Sequence, residues 1–320
     1  MRQAILVEPK HIVFKEVAAP KAEDLQSHQV LVHIKRIGIC GSEIHSYHGL
    51  HPATFYPVVQ GHEYSGVVVA VGNEVTVCKP GDNITARPQL VCGKCNPCKR
   101  GQYNVCEHLR VQAFQSDGCA QDYFVVDDDR VAKLPEGMSL DFGAMIEPSA
   151  VGAHASNRTN VKGKNVVVSG AGTIGNLIAQ FCIARGAKNV LITDVSDLRL
   201  AKARECGIKH TLNITKKTLK EAAQELFGEE GVSGRFRGSW CGSLHPLPDG
   251  DHREGKRYRG GSRLRQGSSP QHVLSRRARV ATDWLDDVSP RGLPHRHRLC
   301  EQGHRQSEAA RQQPLRLRGV

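Results

Sequence analysis

N-V-V-V-S-G-A-G-T-I-G, Asn165 to Gly175, decides the fold of the second half of this chain. Asn165–Ser169 reads as a short apolar strand that stops at a glycine. Gly170, Gly172 and Gly175 follow at once, and Asn176–Arg185 reads as a helix closed by Gly186. A second strand, Asn189–Thr193, ends at Asp194. Strand, G-x-G-x-x-G turn, helix, strand and acid form the dinucleotide-binding pattern of a doubly wound α/β sheet. Gly170 permits the tight turn, Gly172 lets backbone approach a pyrophosphate, and Gly175 allows close packing of helix on strand. Thr173 and Ile174, within the same turn, belong with these cofactor-binding candidates. The pyrophosphate belongs at the helix N-terminus, where unpaired N–H groups and the helix dipole favour an anion. Asp194 is expected to bind the adenosine ribose hydroxyls. Its carboxylate repels a 2′-phosphate, so NAD is expected rather than NADP. The plainer alternative is a helix-capping aspartate. Arg199, one helical turn later, is a weaker candidate that could stack on adenine. Asp197–Cys206 and Lys216–Phe227 read as further helices, each stopped by a glycine, Gly207 and Gly228.

Earlier in the chain, Cys92, Cys95, Cys98 and Cys106 are separated by two, two and seven residues. Two-residue gaps let neighbouring thiolates turn onto one ion, and the longer gap returns the fourth. Four soft thiolates suit tetrahedral zinc, and a site with no open position is structural. Disulfides or buried free cysteines are the alternative. Met1–Lys10 lacks a charged segment followed by an apolar one, so no signal peptide is expected and disulfides gain no support.

The first 150 residues hold many short alternating runs with glycine turns, which predicts a β-rich, barrel-like domain. Gln29–Ile37 and Tyr64–Val71 are the clearest strands. Cys40 and His62 are candidate ligands of a second metal, one that keeps an open position for chemistry. Glu147 is the best third ligand, and Glu63 could replace it or hydrogen-bond behind His62. Taken singly, Cys40 is more often core filler and His62 a satisfied core histidine.

Taken together, G-I-C-G-S-E-I-H (Gly38–His45), G-H-E-Y-S-G-V-V (Gly61–Val68), the four-cysteine stretch and I-E-P (Ile146–Pro148) resemble the zinc-dependent medium-chain alcohol and polyol dehydrogenases over about residues 1–231. The resemblance implies a GroES-like catalytic domain over 1–150 and an NAD-binding Rossmann domain from 151. It implies catalytic zinc on Cys40, His62 and Glu147 with Glu63 beside it. It also implies a proton relay from Ser42 through His45. A glutamate rather than a third cysteine at 147 favours the sorbitol-type branch. The threonine 3-dehydrogenase branch shares much of the pattern and is the alternative. The implied substrate is a small alcohol, the compartment cytoplasmic, and the family is usually oligomeric.

The last ninety residues break this pattern. Residues 1–231 carry 26 basic and 24 acidic side chains, while residues 232–320 carry 18 and 8, so the net charge of +12 lies mostly in the tail. Lysine nearly vanishes after 231 and arginine replaces it; isoleucine, asparagine and methionine stop altogether. No helix period aligns these arginines on one face, which argues against nucleic-acid binding. No apolar run reaches the roughly 20 residues of a membrane span. Back-translated with free wobble and read from the second base of each codon, Phe236–Arg259 can encode F-E-V-A-G-V-E-V-S-I-R-S-L-M-E-T-I-E-K-G-S-D-I-V. This is an amphipathic helix followed by an apolar strand start, in the element order the Rossmann half still needs. The expectation is a reading-frame shift near Gly231–Gly234, leaving an incomplete Rossmann domain over 151–231 and an out-of-frame, disordered tail over 232–320. If that shift is genomic, an unstable and inactive remnant is expected. Homo-oligomerisation, implied by the family, is then doubtful for this chain.

Overall fold

Apolar alternation builds β1 (Arg2–Glu8), β2 (His11–Glu16) and β3 (Gln29–Gly38). After a short helix α1 (Gly41–Tyr47) come β4 (Val58–Val59), β5 (Glu63–Val71), β6 (Asn83–Ala86) and β7 (Gln89–Leu90). The single-turn helix α2 (Asn96–Lys99) lies inside the four-cysteine stretch and β8 (Arg110–Val111) follows it. Then come β9 (Tyr123–Asp127), β10 (Val131–Lys133) and α3 (Leu140–Ala144). Five strands form an antiparallel sheet in the order β10-β6-β5-β3-β9, and a smaller sheet runs β2-β1-β4. Val30, Val32, Tyr64, Val68, Ile84, Phe124 and Val126 fill the core of this unit. Each valine, isoleucine and phenylalanine among them contributes about 1.5–3 kcal/mol by leaving water. The first 150 residues are therefore β-rich, as their turn spacing predicts.

The chain leaves this unit within α4 (Ile146–Asn157); the structure, a computed structural model, describes residues 1–238 and separates Met1–Ala150 from a second unit that begins at Val151. In that second unit β11 (Asn165–Ser169), α5 (Thr173–Ala184), β12 (Asn189–Asp194), α6 (Asp197–Glu205), β13 (His210–Asn213), α7 (Leu219–Phe227) and β14 (Gly234–Arg237) follow in order. The sheet is parallel, ordered β13-β12-β11-β14, as in a doubly wound fold. Val166, Val167 and Val168 of β11 are all buried, so the strand is covered on both faces.

Three boundaries differ from those the sequence predicts. Helix α5 starts at Thr173 rather than Asn176, because Gly172 serves as its N-cap. Helix α7 starts at Leu219 rather than Lys216. There Thr218 and Glu221 exchange side-chain and backbone hydrogen bonds at 3.0 and 3.2 Å, a capping box that sets the first turn. The third is a correction: Gly234–Arg237, expected to be irregular, forms β14. Gly234 and Phe236 are half-buried and Phe236 packs against the β11–α5 core, while Arg235 and Arg237 point outward. Four residues are too few to show a period in sequence. The rest of the expected out-of-frame segment, residues 239–320, lies outside the described residues.

Candidate functional site

The register of β3 on β5 ends at the pair Gly38 and Glu63. That single pairing brings Cys40, two residues after β3's end, beside His62, the residue just before β5. A Cβ on Gly38 would collide with the Glu63 carboxylate, so only glycine leaves room for it. The ligand atoms of Cys40, His62 and Glu63 all lie within 4.8 Å of one another. Thiolate, imidazole and carboxylate within that distance are a donor set that fits zinc with a position left open. Glu147, the expected third ligand, sits in the first turn of α4 and is not in this close group; Glu63, the expected alternate, is. Glu147's carboxyl is nonetheless near enough to feel the group. Burial, with the nearby charges of Glu63 and Glu43, pushes it up to about 7 against the opposing pull of His62.

Glu43 is the site residue that sequence reasoning missed. It lies on α1, buried, with its Oε1 accepting from His62 Nδ1 at 3.1 Å and from the Gly61 N–H at 2.8 Å. Its Oε2 accepts from the Cys40 N–H at 3.0 Å. One carboxylate thus ties both candidate ligand segments together. With Nδ1–H donating to Glu43, Nε2 is the nitrogen left to bind a metal. Burial alone would lower the His62 pKa, but hydrogen bonds to Cys40 and Glu43 and the charge of Glu147 raise it well above the usual value. The available signal was an acid three residues after Cys40, at the third position of a helix, where carboxylates return to the N-cap N–H. Glu43→Ala is expected to weaken metal binding at this group about 10- to 100-fold in a chelator competition. Unchanged affinity would remove Glu43 from that role.

Ser42 is buried and its Oγ donates to Cys40 Sγ at 3.0 Å. His45 stands three residues later on α1, on the same face and half-exposed.

The four-cysteine stretch folds as its spacing predicts. All four sulfurs lie within 4.8 Å, with Cys92–Cys106 at 3.5 Å and Cys95–Cys106 at 3.8 Å. Four sulfurs at ~2.3 Å from a tetrahedral ion would be ~3.8 Å apart. The Cys92 and His108 N–H groups both donate to Cys106 Sγ at 3.3 Å. The Lys94 N–H, assisted by that of Cys95, lowers the Cys92 thiol to about 6, whereas burial and the neighbouring sulfurs of Cys95 and Cys106 push Cys98 up to about 12. Without a cation the four cannot all ionise together; a divalent ion removes that conflict. All cysteines among the described residues are free thiols.

In the second unit, Gly170 has φ of +98° and a Cβ on Gly175 would strike the Gly170 carbonyl, so the turn and the helix contact both require glycine. Gly172, Thr173 and Ile174 form the N-terminal end of α5. Asp194 ends β12 and is not the cap of α6, a task taken by Ser196, whose side chain accepts from the Arg199 N–H. Asp194 Oδ1 accepts from Ser196 N–H and Oδ2 from Ala171 N–H, at 2.9 and 2.8 Å. Arg199 lies 3.7 Å from the same carboxylate.

The model of the alcohol dehydrogenase GroES-like domain matches residues 26–136, and that of the zinc-binding dehydrogenases matches residues 173–238. The chain belongs to the family of zinc-dependent alcohol and polyol dehydrogenases. It is 34% identical over 242 residues to the uncharacterized zinc-type alcohol dehydrogenase-like protein YdjJ of Escherichia coli (strain K12), covering 72% of this chain and 67% of that one. It is 31% identical over 237 residues to the sorbitol dehydrogenase of Bacillus subtilis (strain 168), covering 72% and 66%. The crystal structure of galactitol-1-phosphate dehydrogenase from Escherichia coli superposes with a TM-score of 0.67 at 33% identity, covering 73% and 67%. The chain thus spans just under two thirds of the length of the Bacillus enzyme. No helix among the described residues is long and apolar enough to cross a membrane.

Proposed function

We propose that the chain is a zinc- and NAD-dependent oxidoreductase that moves hydride from a secondary hydroxyl of a polyol, sugar alcohol or sugar acid to NAD. The observation that carries this is the convergence of Cys40, His62 and Glu63 within 4.8 Å, with the Ser42 hydroxyl 3.0 Å from Cys40 Sγ. Zinc bound there would supply Lewis acidity that lowers the pKa of a substrate hydroxyl, and bound nicotinamide would accept the hydride. Cys40, His62 and Glu63 hold the metal, with Glu147 close by as a carboxylate that can replace one of them. Ser42 accepts the proton of the substrate hydroxyl, and His45, half-exposed on the same helix face, carries it toward solvent. Cys92, Cys95, Cys98 and Cys106 hold a second, structural zinc. Gly170, Gly172, Thr173, Ile174 and Gly175 receive the pyrophosphate, and Asp194 the adenosine ribose with Arg199 beside it. The partner is a small alcohol; nucleic acid and membrane have no part in this reading. Free thiols at every cysteine among the described residues suit a reducing cytoplasm.

A second reading, an inactive remnant, is favoured by the arginines of β14 and the tail composition. The separating assay follows NADH formation with added zinc over a panel of polyols, sugar acids and L-threonine. Turnover with a polyol or sugar acid, lost on chelation, is the expected outcome. Turnover with L-threonine alone would move the chain to the threonine 3-dehydrogenase branch, and no turnover with any would favour the remnant.

A further inference from the structure

We propose that Asn176 is a positioning residue of the dinucleotide site, one that holds the phosphate loop in its binding shape before any cofactor arrives. The proposal rests on the dinucleotide reading above. Asn176 lies in the first turn of α5 and is 7% exposed. Its Nδ2 donates to Ala171 O at 2.8 Å and to Gly172 O at 3.3 Å. Carbonyls only accept, so the NH2 end must be the one that faces them. From the other side, the Ala171 N–H donates to Asp194 Oδ2 at 2.8 Å. The residue at the crest of the G-x-G turn is thus gripped at its N–H by β12 and at its carbonyl by α5.

The consequence follows from peptide geometry. A trans peptide sets its N–H opposite its C=O. Holding Ala171 O on the Asn176 amide, and Gly172 O on that amide and on the Asn176 backbone N–H at 2.9 Å, turns the N–H groups of Gly172 and Thr173 the other way, toward the N-terminal end of α5, where the dinucleotide reading places an anion. The same chain of contacts joins the pyrophosphate end of the site to Asp194 at its ribose end.

Asn176 gives its own helix little in return. Asparagine is a poorer helix former than alanine. Its Oδ1 is buried with no hydrogen-bond partner, which opposes stability. What the amide accomplishes therefore lies in the loop. This yields a readout that a purely structural role would not give: binding and stability should separate.

The test uses the full chain, with NADH and ADP-ribose affinity measured by titration calorimetry and thermal unfolding measured without ligand. Asn176→Ala should lose little melting temperature, because the partnerless Oδ1 is removed along with the Nδ2 bonds, yet bind both ligands about tenfold more weakly, the scale of one net hydrogen bond. Asn176→Asp, the same size but placing a carboxylate against the Ala171 carbonyl, should bind more weakly still. Asn176→Ser, whose hydroxyl can donate to Gly172 O one turn back, should fall between. Equal affinity in the original and Asn176→Ala, or a loss of affinity that merely parallels a loss of melting temperature, would overturn the proposal. If the unsubstituted chain binds neither ligand, the dinucleotide reading itself falls, and this proposal with it.

Discussion

Cys106→Ser is expected to reduce the zinc content of the purified chain from about two ions to about one and to open the segment between Cys92 and Cys106 to proteases. The reason is the lack of an apolar core there. From Val91 to Arg110 only Cys106 is buried, and no residue of that stretch joins a hydrophobic cluster. In zinc-finger peptides, which also lack an apolar core, the metal contributes about 10–16 kcal/mol of apparent folding free energy. Here the surrounding sheet has its own core, so the loss should stay local, with the main unfolding transition little moved. Zinc content that stays at two, or a segment that remains protease-resistant, would refute the structural zinc.

The pH dependence of both metal groups follows the protons that zinc displaces. Its ligands must be deprotonated, so affinity should rise with pH, by about tenfold per pH unit for each proton released. The metal-free protein runs the other way through Glu147. A carboxyl raised to about 7 in the folded chain holds its proton more tightly there than unfolded. The stability it contributes is present below the ordinary glutamate range and is lost as pH climbs toward 7. The stabilisation given by added zinc should therefore grow between about pH 5 and pH 8.

Restoring the reading frame is expected to have the larger effect on function. On the remnant reading, removing or adding one base between the codons of Phe227 and Phe236 should turn a chain with no measurable turnover into one with rates at least about a thousandfold above background, a modest fraction of the roughly 10⁶-fold or more by which enzymes exceed uncatalysed reactions. Strands of a parallel sheet covered on both faces are near-continuous apolar runs. β11, N-V-V-V-S, and β12, N-V-L-I-T-D, obey this, while β14, G-R-F-R, pairs with β11 and carries two arginines. The shifted frame instead offers Phe-Glu-Val-Ala from position 236 onward, with an acid in place of the arginine at 237. Resequencing the gene from independent template across the same codons comes first. A single-base discrepancy would make the tail an artefact. A confirmed sequence together with ordinary NAD-dependent turnover of the chain as written would end the frame-shift reading.

Local chemistry was legible before any coordinates. The G-x-G-x-x-G turn and the four-cysteine spacing are complete within about fifteen residues each, so backbone geometry and ligand reach leave few other shapes for them. Helix starts were less legible. Whether Leu219 or a residue three positions earlier begins α7 depends on one capping box, and Gly172 rather than the apolar pattern sets the start of α5. β13 and β14 were not foreseen, because strands of four residues leave too short a period to read and are made by their neighbours.

The sequence alone determined the zinc-type ligand chemistry, the nucleotide turn and the break in character after residue 231, since composition and short spacings encode these directly. Only the tertiary structure decided that Glu43 clasps His62 across 19 positions of chain, and that Glu63 rather than Glu147 joins Cys40 and His62 most closely. The register of β3 on β5, ending at Gly38 opposite Glu63, brings those groups together. A register is set by the packing of whole strand faces, which no single motif spells out.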